Sequence, residues 1–163
     1  MSVFQKMRAE KPRLYLFNKD HDVKLSFNQG ELIPVFLDEV IPGDRFQVRT
    51  EVMLRFAPML SPVMHRFHVW IHYFFVPLRL IWDESEDFFT AGDDGTLAPT
   101  WPHVSAVNIV NNSYGGIGSL ADYFGLPEYE ATPAENISVS ILPFRAYSLI
   151  WDEWYRDQWL SGS

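Results

Sequence analysis

A chain of 163 residues is one domain's worth, long enough to bury a core, and at 47% hydrophobic and 21% charged its composition is globular. It has no cysteine, which excludes disulfides and thiolate metal sites, and no apolar run near the roughly 20 residues that cross a bilayer. The net charge of −8 is unevenly spread: residues 83–142 hold ten acidic side chains and no Lys or Arg, which excludes that stretch as a polyanion surface.

Residues 1–21 read as an extended basic arm. Lys6, Arg8, Lys11 and Arg13 face Glu10 alone within the first 13 residues. Clustered positive charge is what a sequence-independent nucleic-acid surface needs, so these four are the candidate nucleic-acid contacts; the alternative is a solvated terminus. The arm lacks the apolar core of a secretory leader, and the absence of cysteine fits a reducing cytoplasm.

Residues 22–82 carry the strand signals. Val23, Leu25 and Phe27 share one face of an extended segment, and Asn28-Gln29-Gly30 supplies a turn. The apolar run 32–37 contains Pro34, which confines it to an edge strand or an extended loop. Pro42-Gly43-Asp44 is a second turn. Residues 45–56 alternate most cleanly. Phe46, Val48, Thr50, Val52, Leu54 and Phe56 point one way, and Gln47, Arg49, Glu51, Met53 and Arg55 the other, the pattern of an antiparallel strand with one wet face. In residues 64–82, Phe67, Val69, Ile71, Tyr73 and Phe75 fall on one face and Arg66, His68, Trp70, His72 and Phe74 on the other. Rings on both sides predict a central strand covered on both faces and ended by Pro77.

The character then changes. Residues 83–142 read as an acidic, loop-rich insertion with two short helices. One lies within 83–90, with acidic residues in its first turn. The other lies within 119–125, with Ser119 as cap and Gly125 as stop. Residues 143–160 predict an amphipathic helix opened by Pro143. Tyr147, Ile150, Trp151 and Trp154 line one face, while Asp152, Glu153, Arg156 and Asp157 take the other. Aromatic residues make up 16% of the chain, and such a surplus suits either a ring-packed core or wide contact surfaces.

No reaction centre is legible. His68 and His72 would make a zinc pair on a helix, but four residues along a strand separate them by about 13 Å, and zinc holds its ligands at about 2 Å. The surrounding Val, Trp, Ile, Tyr and Phe favour the strand, and with it packed or interface histidines. Gly92-Asp93-Asp94-Gly95 offers two carboxylates without the full EF-hand spacing, so it reads as a solvated turn. Asp83, Glu84, Glu86 and Asp87 have no positive partner or apolar pocket nearby to split their pKa values, and read as a solvated face. Nucleophile-elbow, P-loop, zincin and dinucleotide fingerprints are absent from the sequence. The residues call for no catalytic group, no cofactor and no metal.

Several segments taken together resemble the major capsid protein of microviruses, the small single-stranded-DNA bacteriophages, and in particular the gokushovirus branch. They are Phe27 with Gly30, Leu32 and Pro34; Leu37-Asp38-Glu39-Val40-Ile41-Pro42-Gly43-Asp44; Pro62-Val63-Met64; and Phe74-Phe75-Val76-Pro77-Leu78-Arg79-Leu80-Ile81-Trp82. The most specific are Leu142-Pro143-Phe144-Arg145-Ala146-Tyr147 and Ile150-Trp151-Asp152-Glu153-Trp154-Tyr155-Arg156-Asp157-Gln158. The resemblance runs from Leu14 to Gln158. It departs at Trp159, where the family usually has a polar residue, and at Ser163, beyond which family members continue for several hundred residues.

The resemblance implies a mainly β fold, part of a viral jelly roll (an antiparallel β-sandwich) with long loop insertions and a few short helices. A jelly roll takes about eight strands and about four are legible here, so it also implies the amino-terminal part of a longer subunit. It implies no catalysis, and self-assembly into an icosahedral shell enclosing circular single-stranded DNA, in virions assembled in the cytoplasm of a bacterial host. The implied partners are other copies of the capsid protein, the viral DNA, minor virion and scaffolding proteins, and a host cell-surface receptor. On this reading Tyr147, Trp151, Trp154 and Tyr155 are the candidate subunit-interface residues, and the basic arm faces the genome. The rival from a different class is a β-sandwich carbohydrate-binding module with exposed Trp and Tyr as stacking platforms. It would stay monomeric.

Overall fold

The computed structural model describes residues 15–58, 60–62, 64–105, 116–126 and 138–157. Lys6, Arg8, Lys11 and Arg13 lie outside them, as does Trp159.

From 15 to 76 the described chain is extended and punctuated by turns. At the first turn Glu31 accepts from the Asn28 backbone N–H (2.9 Å) and side-chain amide (3.0 Å), and Gly30 takes φ +84°. These bonds hold the Glu31 carboxyl below its usual range, the side-chain amide having the larger effect. The second turn runs from Ile41 to Asp44, with Pro42 and Gly43 at its corners, Gly43 at φ +97°, and Asp44 N–H donating to the Ile41 carbonyl at 3.1 Å. This is the type II arrangement, whose third position needs a positive φ.

Side-chain pairs align these segments antiparallel. Lys19 meets Asp38 in an ion pair and His21 stacks on Phe36 at 5.5 Å, so two residues forward on one arm match two backward on the other. Likewise Thr50 bonds the Tyr73 hydroxyl, and Phe56 packs on Phe67 at 4.6 Å, six residues forward against six back. The strand-like segments of the sequence are therefore side by side and in a definite register. Here the structure differs from the expectation: no hydrogen-bonded ladder joins them among the described residues, and residues 64–75 are largely exposed rather than covered on both faces. An alternating pattern specifies which face a side chain takes, but a ladder and its cover depend on neighbours that the pattern does not supply.

The packed centre lies where extended chain meets helices. A 3₁₀ turn at Leu78–Leu80 follows Pro77 and leads into α1 (Ser85–Thr90), which carries Glu86 and Asp87 in its first turn as expected. Helix α1 ends at Ala91, in the left-handed region at φ 59°, and Ala91 O accepts from Leu97 N at 2.9 Å. Helix α2 (Leu120–Tyr123) has Ser119 as its cap, accepting from Asp122 N, and the chain turns away at Gly125 (φ +79°). Two strands sit in what the sequence presents as loop: β1 (His103–Ser105) pairs antiparallel with β2 (Ser138–Ser140), Val104 opposite Val139. At three residues each they are too short to show a periodicity. Helix α3 (Leu142–Ile150) opens with Pro143 in its first turn and passes into a π turn at Trp151–Tyr155, where Arg156 N bonds back to Trp151 O at 2.8 Å. The expected single helix over 143–160 is thus two pieces, extended again at Arg156.

These elements enclose Trp82 (4% exposed), Ala121 and Leu142, with Ser85. The Trp82 ring contacts Phe88 at 5.1 Å and Trp101 at 5.2 Å, with Phe88 and Trp101 themselves 5.6 Å apart. The Trp101 indole N–H is satisfied by Ser140 Oγ at 3.0 Å, which ties this cluster to β2.

Candidate subunit interface

Helix α3 is held against the extended region by polar clasps at both flanks. Arg145 donates from Nη1 to the Ile81 carbonyl at 2.9 Å, and the Tyr147 hydroxyl donates to the Leu32 carbonyl at 2.8 Å. Burial, with a smaller contribution from the Glu31 charge, raises the Tyr147 phenol pKa. Tyr123, on α2, reaches the Ser26 carbonyl at 2.8 Å in the same manner. Two phenols thus bracket the first turn, and Phe124 lies edge-on to Phe144 at 5.1 Å between their helices.

Beyond Ile150 the π turn displaces the next side chains around the helix axis and brings Trp154 and Tyr155 over the extended segment. Tyr155 stacks on His72 at 6.0 Å and its hydroxyl meets His72 Nδ1 at 2.6 Å. Phe74 contacts Trp154 at 5.9 Å and Tyr155 at 6.3 Å. Trp154 remains 72% exposed, so its ring lies along Phe74 without being enclosed. On the same face of the extended segment, Trp70 stacks on His68 at 5.6 Å.

The four aromatic residues predicted on the last helix therefore have distinct places. Tyr147 is half-buried and spends its hydroxyl inside the chain. Trp151 (44% exposed) shares a shallow, open depression with Tyr147, Ser148 and Asp152. Trp154 and Tyr155 join His72 and Phe74 in an exposed aromatic cluster. The sequence reading put His72 and Phe74 on one face but did not link them to the helix. The link depends on the π turn, for which the sequence carries no rule. Among the described residues no group of three or more His, Asp or Glu side chains could hold a metal ion.

The arrangement is one of exposed aromatic faces on extended chain, the kind of surface that suits contact with other macromolecules. Comparison with known proteins agrees and goes further. The phage capsid protein (F protein) family matches residues 5–163, and the chain belongs to that family. It is 36% identical over 148 residues to capsid protein VP1 of Bdellovibrio phage phiMH2K and 37% identical over 154 residues to capsid protein VP1 of Chlamydia phage 1, in each case over 90% of this chain. Capsid protein VP1 of Spiroplasma virus 4 is 36% identical over 144 residues, 87% of the chain. The chain spans about a quarter of the length of these relatives: 26%, 25% and 25%. No solved structure matches it.

Proposed function

We propose that this chain is part of a microvirus major capsid subunit, a structural protein that assembles with copies of itself into an icosahedral shell around circular single-stranded DNA. The observation that carries the reading is the capsid-family match across residues 5–163. The structure supports it with apolar side chains left open on extended chain, among them Val52, Leu54, Phe67, Val69 and Phe75. In this reading the antiparallel segments 18–39 and 45–76 are strands of a viral jelly roll, completed by chain equivalent to the three quarters of the relatives that lies outside the match.

Trp151, Trp154 and Tyr155 then face a neighbouring subunit, with Tyr147 anchoring their helix, and the arm residues Lys6, Arg8, Lys11 and Arg13 face the genome. The subunit's home is the virion, assembled in the cytoplasm of a bacterial host with minor virion and scaffolding proteins, and its shell meets a host receptor. Light scattering and negative-stain microscopy of native material test this. Uniform icosahedral particles containing the chain are expected. A monodisperse monomer, in material where the chain continues to the relatives' full length, overturns it.

A further inference from the structure

We propose that the polar face of the paired segments 45–56 and 66–76 is a binding surface for single-stranded nucleic acid. The inference deepens the capsid reading by naming where an enclosed strand touches the subunit.

Register makes the argument. The Thr50–Tyr73 and Phe56–Phe67 contacts place one face of both segments together, and apart from that hydroxyl pair the face is apolar: Val52 falls opposite Ile71 and Leu54 opposite Val69. The same register sets the reverse face, with Arg49 opposite Phe74, Met53 opposite Trp70 and Arg55 opposite His68. Between residues 45 and 82 the chain has five arginines and one acid, Glu51, in a protein whose net charge is −8. Glu51 is already engaged by Arg49 at 2.8 Å. Arg55 and Arg66 have no ion-pair partner among the described residues.

Cations interleaved with open rings are the physical recipe for holding a single strand: arginines track the phosphates and aromatic planes receive unpaired bases. Trp70 is 73% exposed and is held flat by its stack on His68, 17° from parallel. The π turn, with Asp152 and Glu153, packs at the His72–Phe74 end, which leaves the Arg55–Arg66–Trp70 end to a polyanion. Duplex DNA presents no free base planes, so the pairing of charge with stacking favours a single strand.

The test is ultraviolet cross-linking of the chain to a labelled oligothymidylate with peptide mapping, alongside anisotropy titrations at several salt concentrations. Cross-links within 66–74 are expected. Trp70→Ala should weaken binding about tenfold while Trp70→Phe restores most of it. Arg55→Ala with Arg66→Ala should lower the salt slope by about 1.4, at ~0.7 per lost phosphate contact. All three side chains are exposed, and the mapping on the unaltered chain stands even if a variant misfolds. Cross-links confined to residues 1–14, or an affinity and salt slope unmoved by folded variants, overturn the inference. Particle formation is scored in parallel. Shells that form without a contact at this face remove the inference alone, whereas cross-links at Trp70 from a chain that never forms shells retain this face and count against the capsid reading.

Discussion

Trp82 offers the sharpest test of how this chain holds itself together. Its ring is buried against Phe88 and Trp101 at 5.1 and 5.2 Å, and the only other buried hydrophobic residues among those described are Ala121 and Leu142. Burying a tryptophan removes about 200 Å² from water, which at ~25 cal/mol/Å² is about 5 kcal/mol as an upper bound. Measured truncations of large aromatic residues fall in the same range, about 3–5 kcal/mol. Domains of this size are stable by only about 5–15 kcal/mol, so Trp82→Ala should remove from about a fifth to all of that margin and lower the denaturation midpoint accordingly. Trp82→Phe keeps one ring against the cluster and should cost about half as much. Urea denaturation followed by far-ultraviolet circular dichroism, which does not depend on the removed indole, measures both. A Trp82→Ala midpoint equivalent to a loss below about 1 kcal/mol would refute the view that this cluster is the chain's main internal anchor.

Four further outcomes follow from other contacts. Tyr147→Phe removes the hydroxyl that reaches the Leu32 carbonyl and should cost about 1 kcal/mol in the same denaturation assay, with the helix itself retained. Ala91→Gly relieves a left-handed residue without a glycine's freedom and should stabilise by about 1 kcal/mol, seen as a higher melting temperature. Asp38 is held below its ordinary pKa chiefly by the Lys19 hydrogen bond; a depressed carboxylate contributes stability above its unfolded value and loses it as pH falls through the folded value, so Lys19→Ala should flatten the stability-versus-pH curve on the acid side of the usual carboxylate range. Alanine at Lys6, Arg8, Lys11 and Arg13 together should lower the DNA content of particles, read from their ultraviolet absorbance ratio, without stopping shell formation.

How much of this was legible in the sequence depended on the range of the interaction that decides each feature. Local chemistry was readable: the type II turn at Pro42-Gly43, the Ser119 cap, the acidic first turn of α1 and the start of α3 beside Pro143 are each decided within about four residues. Facial assignments also read correctly as patterns, since the Thr50–Tyr73 and Phe56–Phe67 contacts join side chains that alternation had placed on one face of each segment. What did not show was anything set by distant partners. The β1–β2 pair joins Val104 to Val139 across residues with no periodicity long enough to detect. The π turn at Trp151–Tyr155 exists where Tyr155 meets His72, 83 residues away. The central strand's expected cover was inferred from rings on both faces, yet rings specify only that a cover is needed. Of the candidate sites, the aromatic helix could be named residue by residue, but not the half of its cluster that comes from the extended chain.

The missing cover bears on how folding and assembly are related. Among the described residues, the extended segments leave many apolar side chains open. Val52, Leu54, Phe67, Val69 and Phe75 are each about half open or more. From residue 15 to 76 the only backbone–backbone bond among the described residues is that of the Ile41–Asp44 turn, while the Asn28 N–H and the Ser26 and Leu32 carbonyls are taken by side chains. Unpaired peptide groups beside apolar side chains are the condition under which strand addition is most favourable, because one partner satisfies the donors and buries the side chains together. Among the described residues, 15–76 are largely exposed, while the buried side chains gather at Trp82, Ser85, Ala121 and Leu142. Where binding and ordering are coupled in this way, stability rises with the concentration of the partner, and the folded fraction cannot be separated from the assembled one. On the capsid reading proposed above, a local anchor combined with strands that need partners would place the order–disorder balance at the step where copies meet.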